Sequence, residues 1–405
     1  MRILLLTHRL PYPPNKGDKI RAFNVLEYLA KRHEVFLACP VDDPADLTHV
    51  AELERRCAGV LAVQNAGTRS WAAVRALASG TSITVRHFYS RELQRRLDEH
   101  LDRHPIDVVF CFSSPMAEYV LRSRHASGPL RRARRIMDFI DVDSFKWRQY
   151  AERASFPLNW VYRYEAARLA DYERRVAAEF DRLLLVSEQE REYLPAGISG
   201  EKVFGVSNGV DLAYFSPRAA NVRADGAHSL VFTGVMDYWP NVDGVQWFAD
   251  EVFPQIRAQL PGTRFVIVGS KPADSVRRLA SRPGIEVTGY VDDVRTFVAG
   301  ASVCVVPLRI ARGVQNKVLE AMAMGKAVVG TAQAMEGIRA SVGEDLIAVE
   351  GAPAFAAAVI DLLNSQERTA QLGASARRCM ERSYSWDSNL HALDLMLPDA
   401  AGASG

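Results

Sequence analysis

Short, continuous apolar runs alternate with amphipathic helical patterns along the chain, and this alternation constrains the fold more than any other feature. At the start, the runs Ile3–Leu6 and Glu34–Cys39 flank a segment in which Ala22, Val25 and Leu29 recur at helical spacing. Continuous apolar runs of this length are typical of parallel strands that are buried on both faces. Because parallel strands need a crossover between them, this segment predicts a β-α-β unit.

The same alternation continues in both halves of the chain. Further predicted strands of the first half are Val60–Val63, Asp107–Phe112, Arg135–Ile140 and Arg182–Val186. Those of the second half are Leu230–Thr233, Arg264–Val268, Ile285–Val287, Ser302–Val306 and Ala327–Val329. A long helical pattern covers 145–180. Two doubly wound α/β domains in tandem are therefore predicted.

A polar stretch at 218–229 separates the two halves. We predict a first domain over 1–217, this linker, and a second domain over 230–385. A last amphipathic helix over 386–398 is expected to pack back on the first domain, and the tail 399–405 to be disordered. Ligands of doubly wound sheets bind at the carboxyl ends of the strands, so a cleft between two such domains is the default site.

Composition excludes several other classes of protein. Fifty basic residues against 48 acidic ones give a net charge of +2, which offers no field for nucleic acid. The five cysteines are widely spaced and contain no CxxC, so neither a disulfide framework nor a zinc knuckle is predicted. The first apolar run is too short for a signal peptide, and no run is long enough to span a membrane. We expect a cytoplasmic protein.

The most informative segment is Leu308–Thr331, where a basic, glycine-containing loop joins a buried strand to a helix that begins near Asn316. The start of a helix presents free N–H groups and a positive dipole end, which suit a phosphate. Glu320 follows on nearly the same helix face, where a carboxylate can accept hydrogen bonds from ribose hydroxyls. The cations of the loop and first turn are Arg309, Arg312 and Lys317. A solvated Lys–Glu surface pair is the alternative interpretation.

This segment resembles the sugar-nucleotide site of GT-B glycosyltransferases of family 4, whose pattern is G-x-x-x-K-x-x-E-A-M-A. Gly313, Lys317 and Glu320 are in register with it, and the run Ala321–Ala323 completes it. One position differs, because many members place a second Glu where this chain has Arg312. The resemblance implies a GT-B fold, with two Rossmann-like domains that face each other across a cleft.

Three further segments resemble motifs of the same family, in the family's order. The sequence NGVD from Asn208 resembles the motif at the end of the first domain, and Gly234 with Asn241 resembles the first strand–loop of the donor domain. Gly289 and Val291 resemble the loop that meets the nucleotide base. The resemblance assigns donor binding to Gly17, Asn208, Gly234, Val291, Arg309, Gly313, Val314, Lys317 and Glu320.

The opening PYPPNKGDKIRAFN places Gly17 and Asp18 before a predicted helix and Arg21 in its first turn. In the family this glycine loop lies against the donor phosphate and the acceptor, although a helix cap explains Asp18 equally well. Together with MDFIDVDSFKWRQYA, the opening is most similar to sugar transferases of exosortase and PEP-CTERM exopolysaccharide systems. The acceptor-side residues implied are Asp18, Arg21 and Asp138.

Asp141 and Asp143 form a DxD, the arrangement that binds Mn²⁺ in GT-A transferases. Because the cations of the 309–317 loop can neutralise the diphosphate, we predict no metal and no cofactor. Asp141 lies where many family members have a His facing the acceptor, which implies a catalytic role together with Lys317 and Arg312. His100 and His104 have metal-ligand spacing, but without a third ligand we interpret them as a solvated pair.

Aromatic and basic residues are interleaved between Phe145 and Tyr164. Such a face can lie on anionic lipid, where a polyprenyl-linked acceptor is found, and ordinary helix packing is the alternative. A peripheral contact with the inner membrane is therefore among the expected partners, and nucleic acid is not.

The resemblance implies transfer of a sugar from a nucleotide diphosphate sugar to a glycan or lipid-linked acceptor, in exopolysaccharide synthesis. It also implies retention of the anomeric configuration without a metal. Two alternatives stay open at this point: an isomerase similar to the sugar-nucleotide 2-epimerases, and a non-catalytic protein that binds nucleotide sugars.

Overall fold

The computed structural model describes residues 1–65, 69–218, 228–311 and 313–398. These residues form two compact units, one of Met1–Ser207 with the segment that begins at Leu390, the other of Asn208–Asn389. The boundary between the units lies earlier in the chain than the predicted domain end at 217. Most of the predicted linker, the predicted disordered tail and Arg312 lie outside the described residues.

The first unit is built on a seven-stranded sheet with the order β3-β2-β1-β4-β5-β6-β7, in which all neighbouring strands are parallel. Its strands are β1 (Arg2–Thr7), β2 (Glu34–Val41), β3 (Gly59–Gln64), β4 (Val108–Phe112), β5 (Arg134–Ile140), β6 (Arg182–Leu185) and β7 (Val203–Gly205). Its helices are α1 (Gly17–Ala30), α2 (Val50–Glu54), α3 (Arg69–Ser79), α4 (Ile83–Phe88), α5 (Arg91–Leu101), α6 (Ala117–Leu121), α7 (Pro129–Arg132), α8 (Asp143–Arg153) and α9 (Leu158–Glu179).

The second unit has a six-stranded parallel sheet with the order β10-β9-β8-β11-β12-β13. Its strands are β8 (Ser229–Thr233), β9 (Arg264–Val268), β10 (Ile285–Gly289), β11 (Val303–Val306), β12 (Ala327–Thr331) and β13 (Ile347–Val349). Its helices are α10 (Trp239–Trp247), α11 (Phe253–Gln259), α12 (Asp274–Arg277), α13 (Arg295–Gly300), α14 (Asn316–Ala323), α15 (Ala332–Met335), α16 (Ala352–Asn364), α17 (Gln366–Ser383) and α18 (Trp386–Leu390).

Burial explains why these runs form central strands. Leu4, Leu6, Val109 and Met137 are fully or almost fully buried on one face of the first sheet. In the second unit Phe248 packs against the rings of Phe265 and Phe355, and all three are buried. The described ranges contain no helix that is both long and apolar enough to cross a bilayer.

Each sheet reverses its strand order once. In the first unit β1 and β4 are neighbours, and in the second β8 and β11 are neighbours. The crossovers that leave these two strands run in opposite directions, so a crevice opens at their carboxyl ends. These are the edges at which the sequence places its candidate residues.

Two elements differ from the prediction. The helical pattern over 145–180 is broken into α8 and α9, because Pro157 has no N–H to continue the first helix. The predicted helix over 386–398 is the short α18 followed by a 3₁₀ turn at His391–Leu393. Beyond that turn, in the first unit, the Asp394 carboxylate accepts hydrogen bonds from Tyr28 and Arg32 of α1, each at 2.9 Å.

Candidate functional site

The donor-site residues of the second unit gather at its strand reversal. Gly234 directly follows β8, and the loop from Pro307 to Gln315 joins β11 to α14. Gly313 and Val314 are buried within this loop. The carboxyl ends of β8 and β11 therefore bring together segments that are far apart in sequence.

Lys317 lies in the first turn of α14, and its ammonium points toward β8. Its Nζ donates a hydrogen bond to Oδ1 of Asn241 at 2.6 Å, and lies 4.2 Å from the centroid of the Phe232 ring. A Cβ on Gly234 would lie 2.7 Å from the Asn241 amide nitrogen and 3.0 Å from that Nζ. Any side chain at this position would displace the Asn241 amide or the Lys317 ammonium, which favours a glycine directly after β8.

Burial shifts both ionisable groups of α14 toward neutrality. It lowers the pKa of Lys317 to about 7, against the opposing charge of Glu320. It also raises the pKa of Glu320 to about 7, against the opposing charge of Lys317. Both residues are half-buried, and no ion pair joins them among the described residues. A solvated surface pair is therefore not what the structure has.

Arg309, predicted to bind the donor, already has an acidic partner in the structure. Its guanidinium makes two hydrogen bonds to the carboxylate of Asp243 in α10, at 3.0 and 2.5 Å. Its side chain also lies over the ring of Trp247. The described structure thus holds Arg309 against α10, and a bound phosphate would have to compete with Asp243 for it.

Asn208 positions the start of α14. It is buried, its side-chain amide donates to Oδ1 of Asn316 at 3.0 Å, and its carbonyl accepts from the side chain of Asn389. The next residue, Gly209, lies so close to the backbone of Trp386 that a Cβ would come within 2.6 Å of its nitrogen. The NGVD segment therefore ties the first turn of α14 to α18.

The predicted base-binding loop follows β10. Val291 is half-buried there, and Tyr290 beside it is 75% exposed. The loop is fixed by Asp293, which makes a bidentate pair with Arg295, and Arg295 lies 3.8 Å from the Tyr214 ring.

In the first unit, Arg21 and Asp138 form an ion pair at 2.8 Å, and neither side chain is exposed. Arg21 also donates to the carbonyl of Val206 at 2.8 Å. Burial raises the pKa of Asp138, while the charge of Arg21 opposes this effect. These two residues were predicted to face the acceptor, but the structure places them in the core, where they join α1 to β5.

Asp18 remains near the strand reversal of the first unit, where Gly17 is the exposed first residue of α1. Its carboxylate is 3.0 Å from Nε2 of His8 and accepts from Arg9 at 2.8 Å. Burial alone would raise the pKa of Asp18, but the hydrogen bond and charge of His8 and the charge of Arg9 outweigh it and lower the pKa. Asp18 is therefore ionised and holds His8 in place.

Asp141 follows the end of β5, after Ile140, whose φ of 69° is strained for a β-branched residue. It is half-buried, and its side chain makes no hydrogen bond to a described residue. Burial raises its pKa to about 6, with Lys146 opposing the shift and Asp143 adding to it. Of the three candidate carboxylates of the first unit, Asp18 and Asp138 are hydrogen-bonded, and Asp141 alone has no side-chain partner among the described residues.

No three His, Cys, Asp or Glu side chains converge on a metal position in the described part of the chain. Asp143 faces Lys146 at 3.6 Å rather than a second acid. The rings of His100 and His104 stack on each other with their centroids 4.4 Å apart. Asp143 and the two histidines are therefore engaged in local contacts.

Two features of the site were not predicted as site residues. His8 is buried, and its Nδ1 has no partner among the described residues, while its ring stacks on Phe112. Asn241 receives the Lys317 ammonium, although the sequence identified it only as a match to the family loop. The sequence does carry a signal for His8: it directly follows the first strand, and the ends of strands carry function in doubly wound sheets.

Two doubly wound units in tandem are the architecture of the GT-B class of enzymes. The chain is a GT-B glycosyltransferase: residues 17–214 match the model of Glycosyltransferase Family 4, and residues 227–365 match the model described as Glycosyl transferases group 1. Together these matches cover most of both units.

Solved structures share the fold. Sucrose-phosphate synthase from Thermosynechococcus elongatus is 17% identical with a TM-score of 0.72, and the alignment covers 98% of both chains. HepE from Anabaena, solved in complex with UDP and glucose, is 14% identical with a TM-score of 0.69, and 98% of this chain and 99% of HepE are covered.

One curated relative is similar over nearly its whole length. It is an uncharacterized 44.6 kDa protein in the cps region of Klebsiella pneumoniae, 22% identical over 393 residues. The alignment covers 95% of this chain and 96% of that protein.

Proposed function

We propose that this glycosyltransferase moves a sugar from a nucleoside diphosphate sugar to a glycan or lipid-linked acceptor in the synthesis of a cell-surface polysaccharide. The observation that carries the donor assignment is the pair of half-buried groups on α14, Lys317 and Glu320, which do not neutralise each other. A cation and a carboxylate held apart in this way suit the two ends of a nucleoside diphosphate, the phosphates and the ribose.

The leaving group of the reaction is the nucleoside diphosphate, whose negative charge grows as the glycosidic bond breaks. Lys317 in its protonated form, together with the amino end of α14, stabilises that charge. Because these groups do the work that Mn²⁺ does in other transferases, we propose that the reaction needs no metal. We also propose retention of the anomeric configuration, in keeping with the family resemblance.

The comparisons support both the type of donor and the cellular role that we propose. HepE was solved with UDP and glucose, and WaaG, which has a TM-score of 0.66 to this chain, takes part in lipopolysaccharide biosynthesis. The Klebsiella relative lies in a cps region. We propose a cytoplasmic enzyme that acts at the inner membrane. Its opening segments most resemble those of the exosortase-associated sugar transferases.

The test is a thermal-shift screen against UDP-, GDP-, ADP- and dTDP-sugars, followed by turnover assays. A donor at 100 times its dissociation constant stabilises the fold by about 2.7 kcal/mol. The nucleoside diphosphate should then be released only when an acceptor extract is added. Conversion of the donor to an isomer without acceptor would identify an epimerase instead, and binding without any turnover would identify a sensor.

A further inference from the structure

A basic cavity lies in the first unit, and its lining residues are not among the candidate site residues described above. Its volume is about 250 Å³, and α4, α6 and α9 form its walls. Four arginines and two carboxylates are among its lining side chains: Arg86, Arg122, Arg168, Arg175, Glu118 and Asp171. The lining therefore has two positive charges in excess.

The excess charge belongs to Arg86 and Arg175. Neither side chain makes an ion pair or a hydrogen bond with any described side chain, whereas Arg122 pairs with Glu118 and Arg168 lies 3.9 Å from Asp171. Guanidinium groups bind phosphate oxygens through parallel hydrogen bonds. An anion of phosphate type would give the two arginines the partners that the fold does not.

The neighbouring helix end does not supply this attraction. At the start of α4, the backbone N–H groups of Ile83 and Thr84 donate to the carboxylate of Glu165, at 2.6 and 2.9 Å. The Ser82 hydroxyl donates to the same carboxylate at 2.7 Å. A buried carboxylate thus already occupies that position. The attraction of the cavity for an anion comes from its arginines.

One face of α9 connects the cavity to an exposed apolar tip. The ring of Trp160 stacks on Tyr164 with their centroids 6.2 Å apart, and the Arg168 guanidinium lies 5.5 Å from the Tyr164 ring on its other side. These residues follow one another at intervals of four, so they line a single helix face. The distance from Trp160 to Arg168 along the helix axis is about 12 Å.

The tip joins α8 to α9 and exposes three large apolar side chains. Phe156 is 83% exposed, Leu158 53% and Trp160 56%. Exposed Arg153 and Arg163 flank them, and no acidic residue lies between these two arginines. Exposed aromatic and aliphatic side chains with flanking arginines are typical of segments that insert into the interface of an anionic membrane.

We propose that this face of the first unit docks on an anionic membrane, with Phe156, Leu158 and Trp160 in the lipid interface and a lipid phosphate in the arginine cavity. The ligand chemistry is a phosphate group, and the apolar tip beside the cavity favours a membrane lipid over free phosphate as its source. The proposal rests on the membrane contact put forward under the proposed function and assigns residues to it, but it does not depend on the identity of the sugar donor.

The test is cosedimentation of the full chain with vesicles of phosphatidylcholine alone and of phosphatidylcholine mixed equally with phosphatidic acid. The wild type should prefer the mixed vesicles. Phe156→Ser with Trp160→Ser should abolish binding, and Arg86→Gln with Arg175→Gln should weaken binding to mixed vesicles roughly twenty-fivefold, about fivefold for each charge removed. Val342→Ser and Arg103→Gln, at exposed positions elsewhere, are matched controls that should bind as the wild type does.

Melting temperatures verify that each variant is folded. If the double arginine variant is not, Arg175→Gln alone changes one exposed side chain and should still weaken binding about fivefold. Wild-type affinity of the arginine variants for mixed vesicles, or no vesicle binding by the wild type, would overturn the proposal. If pyrophosphate stabilises the wild type but not the double arginine variant, and the wild type binds no vesicles, the cavity serves a free anion and the membrane proposal is wrong.

Discussion

At the scale of single residues, the donor site depends on two groups whose charges are not fixed at neutral pH. Lys317 must be protonated to meet a phosphate, and Glu320 must be ionised to accept from ribose hydroxyls. Burial brings the pKa of each to about 7. Asn241 holds the Lys317 ammonium without neutralising it, so the charge remains available to the donor.

The first prediction follows from these pKa values. Below pH 7 Glu320 gains a proton, and above pH 7 Lys317 loses one, so donor affinity should be highest near pH 7 and fall on both sides. Calorimetry with the sugar nucleotide measures this, because its esterified phosphates do not titrate near neutrality. Lys317→Arg stays charged, so it should remove the decline in donor affinity at alkaline pH. Glu320→Gln cannot gain a proton, so it should remove the decline at acid pH. A flat profile for the wild type would contradict the assignment.

A second prediction separates the two residues kinetically. Lys317 meets charge that grows in the transition state, so Lys317→Ala should lower kcat, by about tenfold to over a hundredfold for a lost charged hydrogen bond of roughly 1.5–3 kcal/mol. Glu320 meets hydroxyls that do not change, so Glu320→Gln should mainly raise KM for the donor. Lys31→Ala and Glu344→Gln, both at exposed positions, are the controls. Wild-type kinetics in both test variants would move the donor site elsewhere.

A third prediction concerns the acceptor. Asp141 follows a strained residue, has a raised pKa and makes no side-chain hydrogen bond within the described ranges, whereas its neighbour Asp143 faces Lys146. Asp141→Asn should lower turnover and leave donor affinity nearly unchanged, as steady-state kinetics and calorimetry would show. Asp143→Asn is the matched control and should turn over at nearly the wild-type rate. Loss of donor affinity in Asp141→Asn would instead indicate damage to the fold.

At the scale of elements, α8 and α9 are joined by a buried carboxylate. Glu173 of α9 accepts from the backbone N–H of Ser144 at 3.0 Å and from its hydroxyl. Burial raises the pKa of Glu173 to about 8, although these hydrogen bonds oppose the shift. Burial of the charge outweighs these hydrogen bonds, so the folded chain is most stable relative to the unfolded chain when Glu173 is protonated.

The fourth prediction is that this joint makes stability depend on pH. The pKa of Glu173 is about 8 in the folded chain, above its ordinary value of 4.5. The folded state binds the extra proton between these values, so the free energy of unfolding falls as pH rises from 4.5 toward 8. Glu173→Gln should flatten this decline in melting curves, because its amide can hydrogen-bond Ser144 without ionising. Exposed Glu152→Gln should keep it; an equally steep decline in both variants would rule out Glu173 as its source.

At the scale of the whole molecule, each unit has its own strand reversal and its own set of charged groups. The second unit supplies Lys317 and the amino end of α14, and the first supplies Asp141 and the pair of His8 and Asp18. We therefore expect activity to survive EDTA, as the fifth prediction. An activity assay with and without chelator measures it. Loss of activity with rescue by Mn²⁺ would restore the metal interpretation of Asp141 and Asp143.

The sequence alone determined the architecture, because continuous apolar runs are a local signal of buried parallel strands. Every strand predicted from such a run is present, within one or two residues. The two that were missed, β7 and β13, have only three residues each and lie at sheet edges, where a strand needs little burial. The K-x-x-E-A-M-A pattern likewise located α14, since its spacing is fixed by the helix itself.

Only the tertiary structure decided which charged side chains are engaged by other parts of the protein and which can meet a ligand. Arg21 and Asp138 look like site residues in sequence, but β5 and α1 bring them together in the core, where each neutralises the other. Arg309 is held by Asp243, which is 66 positions away in the chain. Lys317 and Glu320, three positions apart, do not pair. Burial and long-range partners set the charge and exposure of a side chain, and neither is encoded in the spacing of its neighbours along the sequence.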